Sequence, residues 1–193
     1  LETIQNDSKM GIANLTRTAG AVYTDLLELG SAYVPALSPA EGGGAVLAEW
    51  GYGILKGNAL AGFLEGEPAK GLELLAGGPA SDIIEVELPE GPVSVKVTSA
   101  HTKGRLAFQG DTLSGLTVTC KVETRLSEYR ERPEGEVLEQ LRIEVEHRER
   151  RRIEAALEQL RAWRADCTGL GAKAGMFHPA RWQAVQADWP EWF

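Results

Sequence analysis

Between Asp82 and Leu126 the side chains alternate in character, and this alternation limits the fold more than any other feature of the chain. In "DIIEVEL", Ile84, Val86 and Leu88 are separated by Glu85 and Glu87; in "VSVKVTS", Val93, Val95 and Val97 are separated by Ser94, Lys96 and Thr98. A period of two sends successive side chains to opposite faces, so each segment reads as a strand with one buried and one wet face. The link "PEGP" is a turn, which joins the two as a hairpin. "GRLAF", ahead of Gly110-Asp111, reads as a further short strand. "SGLTVTCKVETRL" sets Leu116, Val118, Cys120 and Val122 against Thr117, Thr119, Lys121 and Glu123. This last strand is expected to be central in its sheet, with Cys120 inward.

Helical spacing brackets the strands. Residues 8 to 30 carry Ile12, Leu15, Ala19, Val22, Leu26 and Leu29 at steps of three and four, with Gly30 as a stop. "YVPALSPAEGGG", with two prolines and Gly42 to Gly44, reads as an exposed loop. "WGYGILKG" and "ALAGFLEG" flank Gly57-Asn58, a dipeptide suited to a tight hairpin. "EPAKGLELLAGG" reads as a short helix with Pro68 near its first turn and Gly77-Gly78 at its end. Residues 134 to 165 form one long helix, on the order of 45 Å at ~1.5 Å per residue. Its stripe of Val137, Leu138, Leu141, Val145, Ile153, Ala156, Leu157, Leu160 and Trp163 is interrupted by "EHRERRR". A last short helix starts near Pro179. Short links between strands point to antiparallel pairing. The fold class is α+β: an antiparallel sheet of about four to six strands layered with a long C-terminal helix and shorter helices.

The glycines of "GYGILKGNALAGFLEGE" resemble a phosphate loop as text, with Lys56 among them. A dinucleotide loop joins a strand to a helix, so that the helix N-terminus faces the phosphates. Here the glycines lie in a strand and at its hairpin turn, and Lys56 is not followed by Ser or Thr as a P-loop requires. "GLGAKAG", residues 169 to 175, follows a helix and fails the same test. The glycines are expected instead to bend the sheet or admit a close neighbour. Twenty basic against twenty-eight acidic residues give a net charge of −8, a poor match for nucleic acid. No apolar run reaches the length of a membrane-spanning helix. The chain opens at Leu1 with no methionine, the pattern of a piece excised from a longer protein.

Catalytic and metal patterns are missing from the sequence. Cys120 and Cys167 have no zinc spacing; they read as two free or buried thiols, or as one bridge. His101 follows a strand and reads as a surface or loop-tip residue, His147 sits on a charged helix face, and His178 precedes Pro179 as a cap or turn residue. No G-x-S-x-G occurs, and no cofactor is expected. Trp163, Trp182, Trp189 and Trp192 read as core cover over the sheet or as an aromatic patch for a partner. Arg148, Arg150, Arg151 and Arg152 are expected to be largely solvated. They either pair with Glu146, Glu149 and Glu154 along the helix or contact a partner or an anionic membrane.

The order of these segments resembles a known family. "GYGILKGNALAGFLEGEPAKGLELLAGG", a valine-rich hairpin, "GLTVTCKVETRLSEY", a long charged helix, "ADCTGLG" and "HPARWQAVQADWPEWF" together are similar to the C-terminal domain of the Ger(x)C family. These are the C subunits of bacterial spore germinant receptors. The resemblance covers residues 50–193, so the domain division is 1–49, a leading helix and Gly/Pro-rich loop, and 50–193, the family-like domain. It implies a lipid-anchored protein on the outer face of the spore inner membrane, with its anchoring cysteine upstream. It also implies A and B receptor subunits as partners and no catalytic residues. The function expected is a non-enzymatic assembly or scaffold component of a germinant receptor in nutrient-triggered germination. The alternative is a module that binds a small nutrient directly; an enzyme such as a hydrolase is the third reading.

Overall fold

The computed structural model of the protein describes residues 17–39, 47–89 and 91–193. Helix α1 (Ala19–Leu29) starts where Thr18 Oγ1 accepts from the Ala21 N–H and stops at Gly30, whose φ of 70° is cheap only without a Cβ. The earlier stripe positions Ile12 and Leu15, and Gly42 to Gly44, lie outside the described residues. Over residues 33–39 the predicted loop is a strand: β1 (Ser31–Pro39) pairs antiparallel with β2 (Leu47–Lys56). Pro35 and Pro39 suggested a breaker, but β1 is an edge strand of its sheet, and an edge tolerates residues that lack an N–H. The sheet therefore unites residues on both sides of position 50.

Gly57, with φ of 57°, and Asn58 turn β2 into β3 (Ala59–Leu64) as predicted. Helix α2 (Gly66–Ala76) follows, with Pro68 in its first turn and Gly77 closing it. Then β4 (Gly78–Leu88), β5 (Gly91–Gln109) and β6 (Thr112–Tyr129) form a second antiparallel sheet in the order β4-β5-β6. The strands thus form two three-stranded sheets rather than one. "GRLAF" is the last part of the 19-residue β5, not a separate strand, and β5 is central. The expectation that Leu116–Leu126 is central is overturned. That run belongs to β6, an edge, where Leu116, Val118, Cys120 and Val122 are half-buried. Alternation in the sequence reports which face a side chain takes, not how many neighbours a strand has.

The long helix is α3 (Gly135–Ala162), 28 residues or roughly 42 Å at the helical rise. Three short helices end the chain: α4 (Leu170–Gly175), α5 (Pro179–Val185) and α6 (Trp189–Trp192). Two apolar clusters result. The larger packs Tyr33, Tyr52, Ile54 and Leu64 of the first sheet with Leu72 and Leu75, Ala156 and Leu160, and Leu170, Trp189 and Phe193. The smaller packs Ile84, Val86, Val93, Val95 and Val97 under Leu141 and Val145. Helix α3 contributes to both, with its charged middle between them.

Four tryptophans take up the core role read from the sequence. Trp189 is buried, and Trp163, Trp182 and Trp192 pack against the larger cluster. Glycines make room for three of them. A Cβ on Gly62 would lie 2.4 Å from the Trp163 ring, one on Gly171 2.3 Å from Trp189, and one on Gly175 2.3 Å from Trp182. The "GLGAKAG" run is a seat for indoles, not phosphates. Gly51 likewise lets its strand meet β3, since a Cβ there would lie 2.1 Å from the Leu64 carbonyl oxygen.

Candidate functional site

The one cationic run in this acidic chain is the middle of α3, and the structure divides its arginines. Arg150 and Arg151 are exposed; Arg150 pairs with Glu146 at 3.1 Å, one turn back on the same helix. Arg148 is half-buried, 3.7 Å from Glu67. Arg152 departs from the expectation of a solvated side chain. Only 5% of it is exposed, and its guanidinium holds three acidic residues at once. Nε and Nη2 donate to Glu67 at 2.6 and 3.3 Å, and Nη1 donates to Asp82 at 2.6 Å and to Glu149 at 2.8 Å.

The physical reason is the helical period. Val145, Glu149, Arg152, Ala156 and Leu160 recur at steps of four and three and are all buried, so Glu149 and Arg152 continue the apolar stripe as an ion pair. That spacing was visible in the sequence and is the signal that identifies them. Glu67 and Asp82, which complete the cluster from α2 and β4, were not legible, because no spacing connects them to α3. The planar fork of arginine suits such a multiple contact. Burial disfavours the charge on Arg152, but Glu67, Glu149 and Asp82 outweigh it and raise its pKa. The hydrogen bonds from Arg152 pull the Glu67 carboxyl below its ordinary value, whereas burial pushes the Glu149 carboxyl up.

Next to this cluster, α3 and the inner face of β6 frame an open groove of about 1040 Å³. Val118, Cys120, Val122 and Leu126 form its floor, Val145, Ile153 and Leu157 its wall, and Glu139, Arg142, Glu146 and Arg150 its rim. Arg142 pairs with both Glu139 and Glu146. Leu138 stands at the groove 46% exposed.

The remaining polar residues with a chemical look have structural partners. Asp166 is buried and accepts from the backbone N–H groups of Leu170 and Gly171 at 2.8 and 2.7 Å and from Trp189 Nε1 at 2.9 Å. It holds α4 and α6 together. Glu73 accepts from the Tyr52 hydroxyl at 2.8 Å. Lys56, the lysine among the glycines, donates to the Trp163 carbonyl at 3.1 Å. Cys120 and Cys167 are not bridged, and burial raises the pKa of both thiols. Neither is an activated nucleophile. His101 lies exposed inside β5 rather than at a loop tip, His147 is exposed on α3, and His178 caps α5 with its ring against Phe108. Among the described residues, no three or more His, Cys, Asp or Glu side chains come together as a metal site. No helix among them is long and apolar enough to cross a membrane.

Residues 50–193 match the family described as spore germination B3/GerAC-like, C-terminal. Among solved structures, the chain is similar to the crystal structure of the GerBC protein, with 18% identity and a TM-score of 0.75. The match covers 94% of this chain and 60% of that one; at this identity it shows a shared fold. No curated protein matches.

Proposed function

The chain belongs to the spore germination B3/GerAC-like C-terminal family, and from that premise we propose that it is a non-enzymatic assembly module of a spore germinant receptor, acting in nutrient-triggered germination. The family match over residues 50–193 carries this reading. The side chains support it: Asp166, Glu73, Lys56 and Arg152 hold elements of the fold together. A and B receptor subunits are the partners of this reading, and a lipid anchor on the outer face of the spore inner membrane is its location.

Within that role, Arg148, Arg150 and Arg151 remain the proposed contact to an acidic partner loop or to anionic lipid, while Arg152 is withdrawn from it by burial. The groove beside α3 suits a macromolecule better than a nutrient. Its floor is apolar and its charged groups, Glu139, Arg142, Glu146 and Arg150, stand on the rim, whereas small-ligand sites close around a few converging polar groups. The test is a pull-down of the A and B subunits by this domain, with and without nutrient. Nutrient-independent capture supports assembly; no capture in either condition removes the reading, and direct nutrient binding by the isolated domain would favour a sensor. Reversing Arg150 and Arg151 together to Glu is expected to leave folding intact and to weaken binding to anionic vesicles or to those subunits.

A further inference from the structure

β6 is an 18-residue strand at the end of its sheet. Among the described residues its outer edge pairs with nothing, and such a row of N–H and C=O groups is a template for another strand. The Glu123 carbonyl faces β5, where it accepts from the Thr98 hydroxyl at 3.1 Å. By the alternation of an antiparallel strand, the N–H and C=O of the next residue back, Val122, point to the open edge.

We propose that two copies of this chain join through this edge, β6 against β6, antiparallel about a two-fold axis at Val122, to make one six-stranded sheet. The charge order selects the second copy as occupant. Lys121 and Glu123 flank Val122 on the solvent face and lie 3.8 Å apart. Their side chains are 76% and 52% exposed; pairing about the two-fold exchanges the Lys121 contact within one copy for one between copies, while the other Glu123 oxygen keeps the Ser99 hydroxyl at 2.9 Å. A two-fold at Val122 sets each Lys121 opposite the Glu123 of the other copy. Moving the axis by one residue to Lys121 would set the two lysines against each other, which is unfavourable for directly opposed like charges.

The apolar face agrees with the same register. Val122 meets its own copy, and Val118 meets Leu126 in both directions. All three are floor residues of the groove, so pairing lays the two floors side by side between the two α3 helices. The interface is isologous and closes on itself as a dimer, which suits the symmetry of most soluble oligomers. Main-chain hydrogen bonds supply the attraction and the charge order supplies the register. This inference is independent of the receptor reading, since it concerns the chain on its own.

The test is the mass of the purified chain by sedimentation equilibrium, from micromolar to near-millimolar concentration. The wild type is expected to reach a dimer. Lys121→Glu sets two carboxylates against two and is expected to weaken dimerisation by roughly tenfold or more, with circular dichroism unchanged and melting unchanged at concentrations where both proteins are single chains. The double variant Lys121→Glu/Glu123→Lys is expected to restore it. In a Cys120→Ser background, Val122→Cys is expected to cross-link to its own copy on oxidation, because directly opposed residues lie within disulfide reach. Thr119→Cys, which opposes Arg125 in this register, is expected not to cross-link. A single-chain mass at every concentration, a dimer indifferent to Lys121→Glu, or cross-linking at 119 rather than 122 would each overturn the proposal.

Discussion

The Asp166 carboxylate faces donors from two later helices, and both oxygens are in use. An amide has one acceptor oxygen and would turn an N–H toward at least one buried donor. Asp166→Asn is therefore expected to cost about 2–3 kcal/mol, read from chemical denaturation, because an unsatisfied buried group pays its desolvation in full. Arg152 is a second such residue. Arg152→Ala leaves Glu67, Asp82 and Glu149 facing one another without their cation and is expected to cost about 3–5 kcal/mol, whereas the exposed Arg150→Ala should change stability by about 0.5 kcal/mol or less. In the text "EHRERRR" these two arginines look alike. Only the four-three-four spacing through Val145, Glu149, Arg152 and Ala156 separates them. The "ADCTGLG" run was legible as a family feature, but its use of Asp166 to receive Gly171 and Trp189 depends on where the chain returns 23 residues later.

At the scale of elements, α2 and α3 cross at Gly71. A Cβ there would stand 2.0 Å from the Arg152 carbonyl oxygen and 2.9 Å from the Ala156 side chain. Alanine is the better helix former by about 1 kcal/mol in an open helix. Here the two backbones would have to separate, so Gly71→Ala is expected to be a net loss of about 1–3 kcal/mol by urea denaturation. Helices α1, α2, α3 and α5, the Gly57-Asn58 hairpin and the valine hairpin were legible, because period and turn chemistry are local; α4 and α6, of six and four residues, are too short to show a period. β1 was not, because its prolines are tolerated only through its edge position. Nor was the order β4-β5-β6, because β5 and β6 carry similar alternation and sheet position is a non-local property. The groove was hidden for the same reason: it exists because α3 leaves part of the β6 inner face uncovered.

For the whole molecule, the acidic balance and the buried cluster give stability a pH dependence with opposing parts. Glu67 is held below its ordinary 4.5 by Arg152. Its stabilising share is full above 4.5 and is lost as pH falls through the lowered folded value. Glu149 runs the other way: burial raises its folded value, so its ionised form opposes folding at neutral pH and that opposition eases as pH falls. The stability gap between the wild type and Glu67→Gln is expected to shrink below pH 4.5, measured by urea denaturation at a series of pH values. A gap that widens on acidification would contradict the sign.

Helix α3 passes from one apolar cluster to the other, with Leu141 and Val145 in the smaller and Ala156 and Leu160 in the larger. Opening of the molecule need not then be all-or-none. The first three turns of α3 and the outer part of the β4–β5 hairpin can release while the second half of the helix stays locked under the tryptophans. Native-state amide exchange is expected to resolve two groups of protons along this one helix, with those around Leu160 exchanging more slowly than those around Leu141. The charged turn at Arg152 would then be a latch between two regions that breathe on separate clocks, and Arg152→Ala would shift the faster group more than the slower.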